Sequence, residues 1–125
     1  MGWKFENDRP IYLQIVEQVK NCIISGEYAA GQRLPSVRDI AAEAKVNPNT
    51  VQRALTELEN SGLVYSNRTS GRYITDDAAL IENMKSNYAE KLICSVCGLL
   101  SEMGFSARQI TDLVTKHMKG GKINE

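Results

Sequence analysis

The 125-residue sequence predicts a mostly helical α+β protein in two parts. Three observations carry that prediction. Apolar residues recur at three- and four-residue steps through three separate segments ahead of Asn60. Two short β-prone runs then flank a polar turn, which is the pattern of a hairpin. From Asp77 onward only helical periodicity continues. Hydrophobic residues make up 42% of the chain and charged residues 24%, which excludes a disordered polyelectrolyte.

Each element has its own start and stop signals. Pro10 suits the first position of a helix, because its missing N–H would have been unpaired there anyway. Tyr12, Ile15, Val16, Val19, Cys22 and Ile23 form one apolar face, and Ser25-Gly26 ends the helix. Gly31 and Pro35 mark a loop. Ser36 is placed to cap a short second helix, with Asp39 positioned to reach back to it in a capping box. Val37, Ile40, Ala41 and Ala44 form its inner face. Asn47 then caps a third helix that has Pro48 at its first position. Val46 and Val51 are spaced as a hydrophobic staple, and Val51, Ala54, Leu55 and Leu58 make the inner stripe. Leu63–Ser66 and Arg72–Thr75 read as strands around the turn Asn67–Gly71.

Helix, short helix, helix and two-stranded ribbon together spell a winged helix-turn-helix over residues 1–76. The same pattern also fits a small α+β domain with no nucleic-acid role. Residues 77–125 read as a short two-helix dimerisation tail. Asp76-Asp77 marks the boundary or caps the long helix. That helix ends at Gly104, and Ser106 with Gln109 forms a capping-box match before the second. Phe105 is placed to staple onto Ile110, and Gly120-Gly121 stops the last helix. Two helices cannot bury this much apolar surface between themselves. A second copy of the chain is the simplest cover, and Leu80, Met84, Tyr88, Leu92, Val96, Leu99 and Met103 are the candidate dimer face.

Several function classes are excluded early. The longest strongly apolar stretch, Leu92–Leu100, is too short to span a bilayer. No export signal or disulfide framework is visible, so a cytoplasmic location is expected. No catalytic triad, phosphate loop or paired-carboxylate motif stands out, so no enzyme activity, cofactor or metal is expected. Fifteen Lys+Arg balance fifteen Asp+Glu, which argues against an indiscriminate polyanion binder.

One constellation carries function. The face of the third helix opposite its core stripe holds Asn49, Gln52, Arg53 and Thr56, starting from Asn47. Amide and guanidinium side chains pair in two-pronged fashion with adenine and guanine edges in the major groove. Arg38, at the start of the second helix, is placed for a backbone phosphate. Arg68 and Arg72 on the hairpin are placed for a minor groove or phosphates. A solvated polar face would look similar, and composition alone does not separate the two. Glu57 and Glu59, late on the same helix, read as solvated.

Four ordered motifs separate them. Pro10-Ile-Tyr-Leu-Gln-Ile15, Gly31-Gln-Arg-Leu-Pro-Ser-Val-Arg38, Val46-Asn-Pro-Asn-Thr-Val-Gln-Arg-Ala54 and Gly71-Arg-Tyr-Ile74 resemble the GntR family of bacterial transcription regulators. The two-helix tail is similar to that of the YtrA-like branch, whose members lack a large effector domain. The resemblance implies a homodimer that binds a near-palindromic double-stranded DNA operator, usually as a repressor. It implies that Arg38 contacts DNA and that Asn47, Asn49, Thr50 and Arg53 lie on the recognition helix. It also implies that Gly71 is the wing-tip glycine. Several larger relatives carry arginines where this chain has Pro48 and Gln52, so Arg53 and the asparagines must take more of the readout.

A second function class comes from Cys94-Ser-Val-Cys97, which could make a thiol- or metal-responsive sensor acting through the tail helices. No second CxxC accompanies it. Packing as small hydrophobes among Leu92, Ile93, Val96 and Leu99 is the preferred reading. His117 reads as a partly exposed helix residue.

Overall fold

A computed structural model describes residues 2–120. Its elements are α1 (Ile11–Ser25), α2 (Val37–Ala44), α3 (Pro48–Asn60), β1 (Val64–Asn67), β2 (Gly71–Ile74), α4 (Ala78–Glu102) and α5 (Ala107–Lys119). This is a winged helix-turn-helix followed by two helices, the predicted fold class. The chain separates into two compact units between Lys85 and Ser86, partway along α4. Gly121, assigned above to the stop of the last helix, lies outside the described residues.

The core of the first unit is built from the predicted stripes. Val51, Ala54, Leu55 and Leu58 of α3 are each 0% exposed, as are Ile15 and Val19 of α1. Ile40 and Ala41 join them from α2, and Leu34, Leu63, Val64 and Ile74 close the core beside the wing. Tyr12, Val37 and Val46 are half-buried around its edge. Leu80, Ile81 and Met84 also pack against this core. Leu80 and Met84, candidates for the dimer face, are thus already half-covered by their own chain. The reason is the short link from the wing. The Thr75 N–H donates to the Leu63 carbonyl at 2.8 Å, and Asp77 Oδ1 accepts from the Leu80 N–H at 3.1 Å. The first turns of α4 therefore start against the core.

Caps set the helix boundaries. Ser36 Oγ accepts from the Asp39 N–H at 3.0 Å, the Ser36 half of the expected box. Asn47 Oδ1 accepts from the Asn49 N–H at 2.7 Å, and Pro48 follows as the first helical residue. Pro10 precedes α1 with ψ 138° instead of opening it. The tight turn from α2 into α3 puts Lys45 at φ 61°, the left-handed region that costs a side-chain-bearing residue about 1–2 kcal/mol.

The wing pairs Val64 with Ile74 and Asn67 with Gly71, one residue off the predicted strand limits. At its tip Asn67 Oδ1 accepts from the Thr69 N–H at 3.1 Å, a side-chain turn that shapes the loop. A short third segment, read as loop from the sequence, joins β2. The Leu34 N–H donates to the Arg72 carbonyl and the Ile74 N–H to the Gln32 carbonyl, both at 2.8 Å. The run Gln32–Leu34 is too short to show alternation.

A polar clamp holds the N-terminal segment on α1. Gln14 is 2% exposed, yet every neighbour it meets is matched. Its Oε1 accepts from the Glu6 N–H at 2.8 Å, and its Nε2 donates to the Glu6 and Arg9 carbonyls at 2.8 and 2.9 Å. One turn on, Gln18 repeats the pattern: Nε2 donates to the Lys4 carbonyl at 2.7 Å and Oε1 accepts from the Lys4 N–H at 3.4 Å. Two glutamine amides thus act like a strand edge for the segment. They bring Trp3 and Phe5, stacked at 6.2 Å, onto the core.

In the second unit both halves of the capping box form. Ser106 Oγ accepts from the Gln109 N–H at 3.1 Å, and Gln109 Oε1 accepts from the Ser106 N–H at 2.8 Å. Ile110 is buried and Phe105 half-buried, as a staple requires. Lys116, His117 and Lys119 occupy the last turn of α5, where positive charge complements the helix dipole.

Gln14→Leu keeps the side-chain volume but removes three hydrogen bonds, leaving Glu6 and Arg9 backbone groups unmatched. Urea denaturation should show a loss on the order of 1–3 kcal/mol. Amide exchange at Glu6 should accelerate, and an unchanged midpoint would contradict the clamp.

Candidate nucleic-acid interface

The buried stripe of α3 decides what its other side presents. At 3.6 residues per turn, Asn49, Gln52, Arg53 and Thr56 must face away from it, and all four are exposed. Thr50 is half-buried beside the stripe. Gln52 Nε2 donates to Thr56 Oγ1 at 3.4 Å. That leaves the Gln52 oxygen and one of its two N–H groups for a ligand. Asn47 differs, because its oxygen is committed to the cap. The cap bond holds that oxygen toward the helix backbone, so of the two polar ends of Asn47 the NH2 group is the one without a partner among the described residues. Arg53 carries its guanidinium carbon 3.7 Å from the centroid of the Tyr12 ring.

Arginines around this face divide into free and committed. Arg38, second residue of α2, and Arg68, at the wing tip, are exposed and have no ion pair among the described residues. Arg72 is committed. Its Nε donates to Glu59 Oε2 at 2.8 Å, and the Ser66 hydroxyl donates to the same oxygen. Arg72 is therefore a tie between wing and α3, made through Nε, while its two terminal NH2 groups remain for the phosphate or groove contact expected of it. Glu59 is not the solvated residue expected, since a long-range partner outside its own helix holds it. The Ser66 bond foremost, with Arg72 beside it, pulls the Glu59 carboxyl below its ordinary range against the opposing effect of burial.

Gly71 opens β2 at φ 116°. A Cβ there would lie 3.2 Å from Arg33 Nε, so any side chain would be strained and would push Arg33 aside. Arg33, Ser36, Val37, Gly71 and Arg72 line a shallow cleft of ≈ 500 Å³ between the start of α2 and the wing. The outer face of the wing is stiffened by Tyr65 stacked on Tyr73 at 5.7 Å. The Tyr73 hydroxyl reaches Ser70 Oγ at 2.9 Å. The sequence carried no signal for the stack of Arg53 on Tyr12 or for the tie of Glu59 to Arg72.

The thiols are spread out. Cys22 is buried on α1, and burial, followed by the nearby Glu27 carboxylate, pushes its thiol up to about 11. Cys97 is half-buried and Cys94 exposed. The residues expected to pack around Cys94, namely Leu92, Ile93, Val96 and Leu99, are exposed with it. His117 is exposed. Among the described residues no three His, Cys, Asp or Glu side chains group as metal ligands, and no helix is long and apolar enough to cross a membrane.

Comparison with known proteins identifies this arrangement. The family described as "Bacterial regulatory proteins, gntR family" matches residues 11–74, from α1 to the end of the wing. The HTH-type transcriptional regulator YhcF of Bacillus subtilis is 31% identical over 97% of this chain and 100% of its own length. The chain belongs to the gntR family. The similarity extends through the tail of this GntR protein. The HTH-type transcriptional repressor YtrA of Bacillus subtilis is 33% identical, with 93% of this chain and 92% of YtrA covered, in keeping with the YtrA-like branch. A GntR family transcriptional regulator from Listeria monocytogenes superposes with a TM-score of 0.84 at 38% identity, covering 90% of this chain and 98% of that one. The protein is a helix-turn-helix transcriptional regulator and not an enzyme.

Glu59→Gln tests the tie between wing and α3. The carboxyl sits below its ordinary value of 4.5 in the folded state. Its contribution is therefore complete above that pH and is lost as pH falls through the lower folded value. At neutral pH the variant should be less stable by on the order of 1 kcal/mol. Thermal melts of the two proteins should converge in acid, and a pH-independent gap would contradict the ion pair.

Proposed function

We propose that this regulator binds an operator as a homodimer and represses transcription from it. The observation that carries the reading is the exposed face of α3. Among the described residues Asn49, Gln52 and Arg53 keep hydrogen-bonding edges unconsumed there, and Arg38 and Arg68, without an ion pair, lie on the two elements that flank it in the winged fold. Phosphate contacts from the flanks set position, while the α3 side chains read base edges. Asn47, Thr50, Gly71 and Arg72 serve the same interface by shaping it: a cap, a half-buried helix residue, a close-approach glycine and a wing tie. Name and length of YtrA, a repressor, support the same sense of regulation.

Functionally the division falls at 76/77, with residues 1–76 binding DNA and 77–125 pairing two copies. Leu92, Val96, Leu99 and Met103 are 47–70% exposed and Tyr88 is 45% exposed, an apolar set that favours burial against a second chain. Two recognition helices then occupy successive major grooves about one helical turn apart on a near-palindrome, blocking access to the promoter sterically. The sensor alternative through Cys94 and Cys97 has no comparable support.

Duplex DNA selected by the wild-type protein from a random pool supplies the probe. Arg38→Ala and Arg53→Ala should each weaken its binding by about 1–3 kcal/mol while the oligomer stays intact. Wild-type affinity in both variants would sink the assignment. Leu92→Glu combined with Leu99→Glu should give a monomer in sedimentation equilibrium, and a persisting dimer would rule out this face.

A further inference from the structure

We propose that Tyr12 is a positioning residue for base reading: its ring is the platform that holds the Arg53 guanidinium edge-on to the DNA. The proposal rests on the reading of α3 as the recognition helix. Arg53 is exposed in the second turn of α3, and an exposed arginine ordinarily samples many rotamers that binding must freeze. Here the guanidinium carbon lies 3.7 Å over the Tyr12 ring, a close cation–π stack. Stacking on this ring covers one face of the planar group and leaves its N–H edge unconsumed among the described residues. No carboxylate pairs with Arg53 among the described residues. Arg72 is the contrast, since Glu59 fixes it by taking its Nε donor. Arg53 is held without giving up the donors that a two-pronged contact with guanine uses.

The platform itself is fixed by the core. Tyr12 is the second residue of α1, half-buried against the cluster that contains Ile15 and Val19. Val51 and Leu55, flanking Arg53 on α3, are 0% exposed in that same cluster. The stack therefore bridges two helices whose spacing the core already sets. Tyr12 adds selectivity by limiting the directions from which Arg53 approaches a base pair, and it needs no contact with DNA of its own.

The test uses the full-length protein, the duplex it selects from a random pool, and every single-base-pair variant of that duplex. Arg53→Ala should abolish discrimination at one base pair per half-site, which identifies the pair Arg53 reads. At that pair Tyr12→Leu should lower discrimination by about tenfold, within the range that one two-pronged contact supplies. Discrimination elsewhere and affinity for mixed-sequence DNA should stay unchanged. Tyr12→Phe keeps the ring and should match the wild type. In the free protein the Arg53 Nε–H proton should resonate upfield in wild type and Tyr12→Phe. This second measurement decides the matter even if Tyr12→Leu folds poorly, because an unshifted wild-type resonance overturns the platform. So does full discrimination in Tyr12→Leu, or a loss in Tyr12→Phe as large as in Tyr12→Leu, which would point to the hydroxyl. If Arg53→Ala discriminates like the wild type everywhere, the reading of α3 fails and the platform with it.

Discussion

The rest of the first unit depends on one packing constraint: the burial of Val51, Ala54, Leu55 and Leu58 against α1. Complete removal of these side chains from water fixes the rotation of α3 about its own axis, since turning the helix would expose the stripe at about 1.5–3 kcal/mol per large residue. With that rotation fixed, Asn49, Gln52, Arg53 and Thr56 have nowhere to point but outward. Caps refine the geometry at the leading end. Asn47 ends the turn and starts the helix, and Pro48 admits no alternative hydrogen bond there. The reading face is thus a by-product of core burial, and its chemistry is free to vary while the stripe holds it in place.

Zero net charge becomes intelligible once side chains are sorted by partner. Residues 1–75 hold nine basic and eight acidic side chains, so neither half of the chain is strongly cationic. Two sets of acidic groups are tied to cations away from Asn49, Gln52 and Arg53, while Glu57 stays exposed late on α3. Glu17, with Glu6 and Asp8 nearby, meets Arg9 at the start of α1. Glu59 meets Arg72 under the wing. Arg38, Arg53 and Arg68 are left unpaired among the described residues. A small number of well-placed cations suits a binder whose selectivity comes from base edges and whose phosphate contacts are few.

Legibility in the sequence followed the range of the interaction. The α3 stripe, the Ser36, Asn47 and Ser106 caps and the hairpin were all readable, because periodicity and capping are local in sequence. The α1 face was readable for the same reason. What escaped were contacts between distant side chains: Gln14 and Gln18 with the N-terminal segment, Glu59 with Arg72 and Ser66, and Tyr12 with Arg53. None of these leaves a spacing signature. Glu59 looked like any glutamate on an outer helix face until the wing folded beside it. The packing of Leu80 and Met84 against the core escaped for a related reason. A helical stripe shows that a face is apolar but not which surface covers each turn, and here the first turns of α4 belong to the core of the first unit.

The central claim is that the face of α3 turned outward by its buried stripe is the surface that reads DNA. Resonance mapping of the full-length protein during titration with its selected duplex tests this most directly. The account predicts the largest shifts at Asn49, Gln52 and Arg53, with Arg38 and Arg68 moving alongside and the stripe residues nearly still. Shifts gathered on the exposed side of α1 or along α5, with Asn49 to Arg53 unmoved, would contradict it.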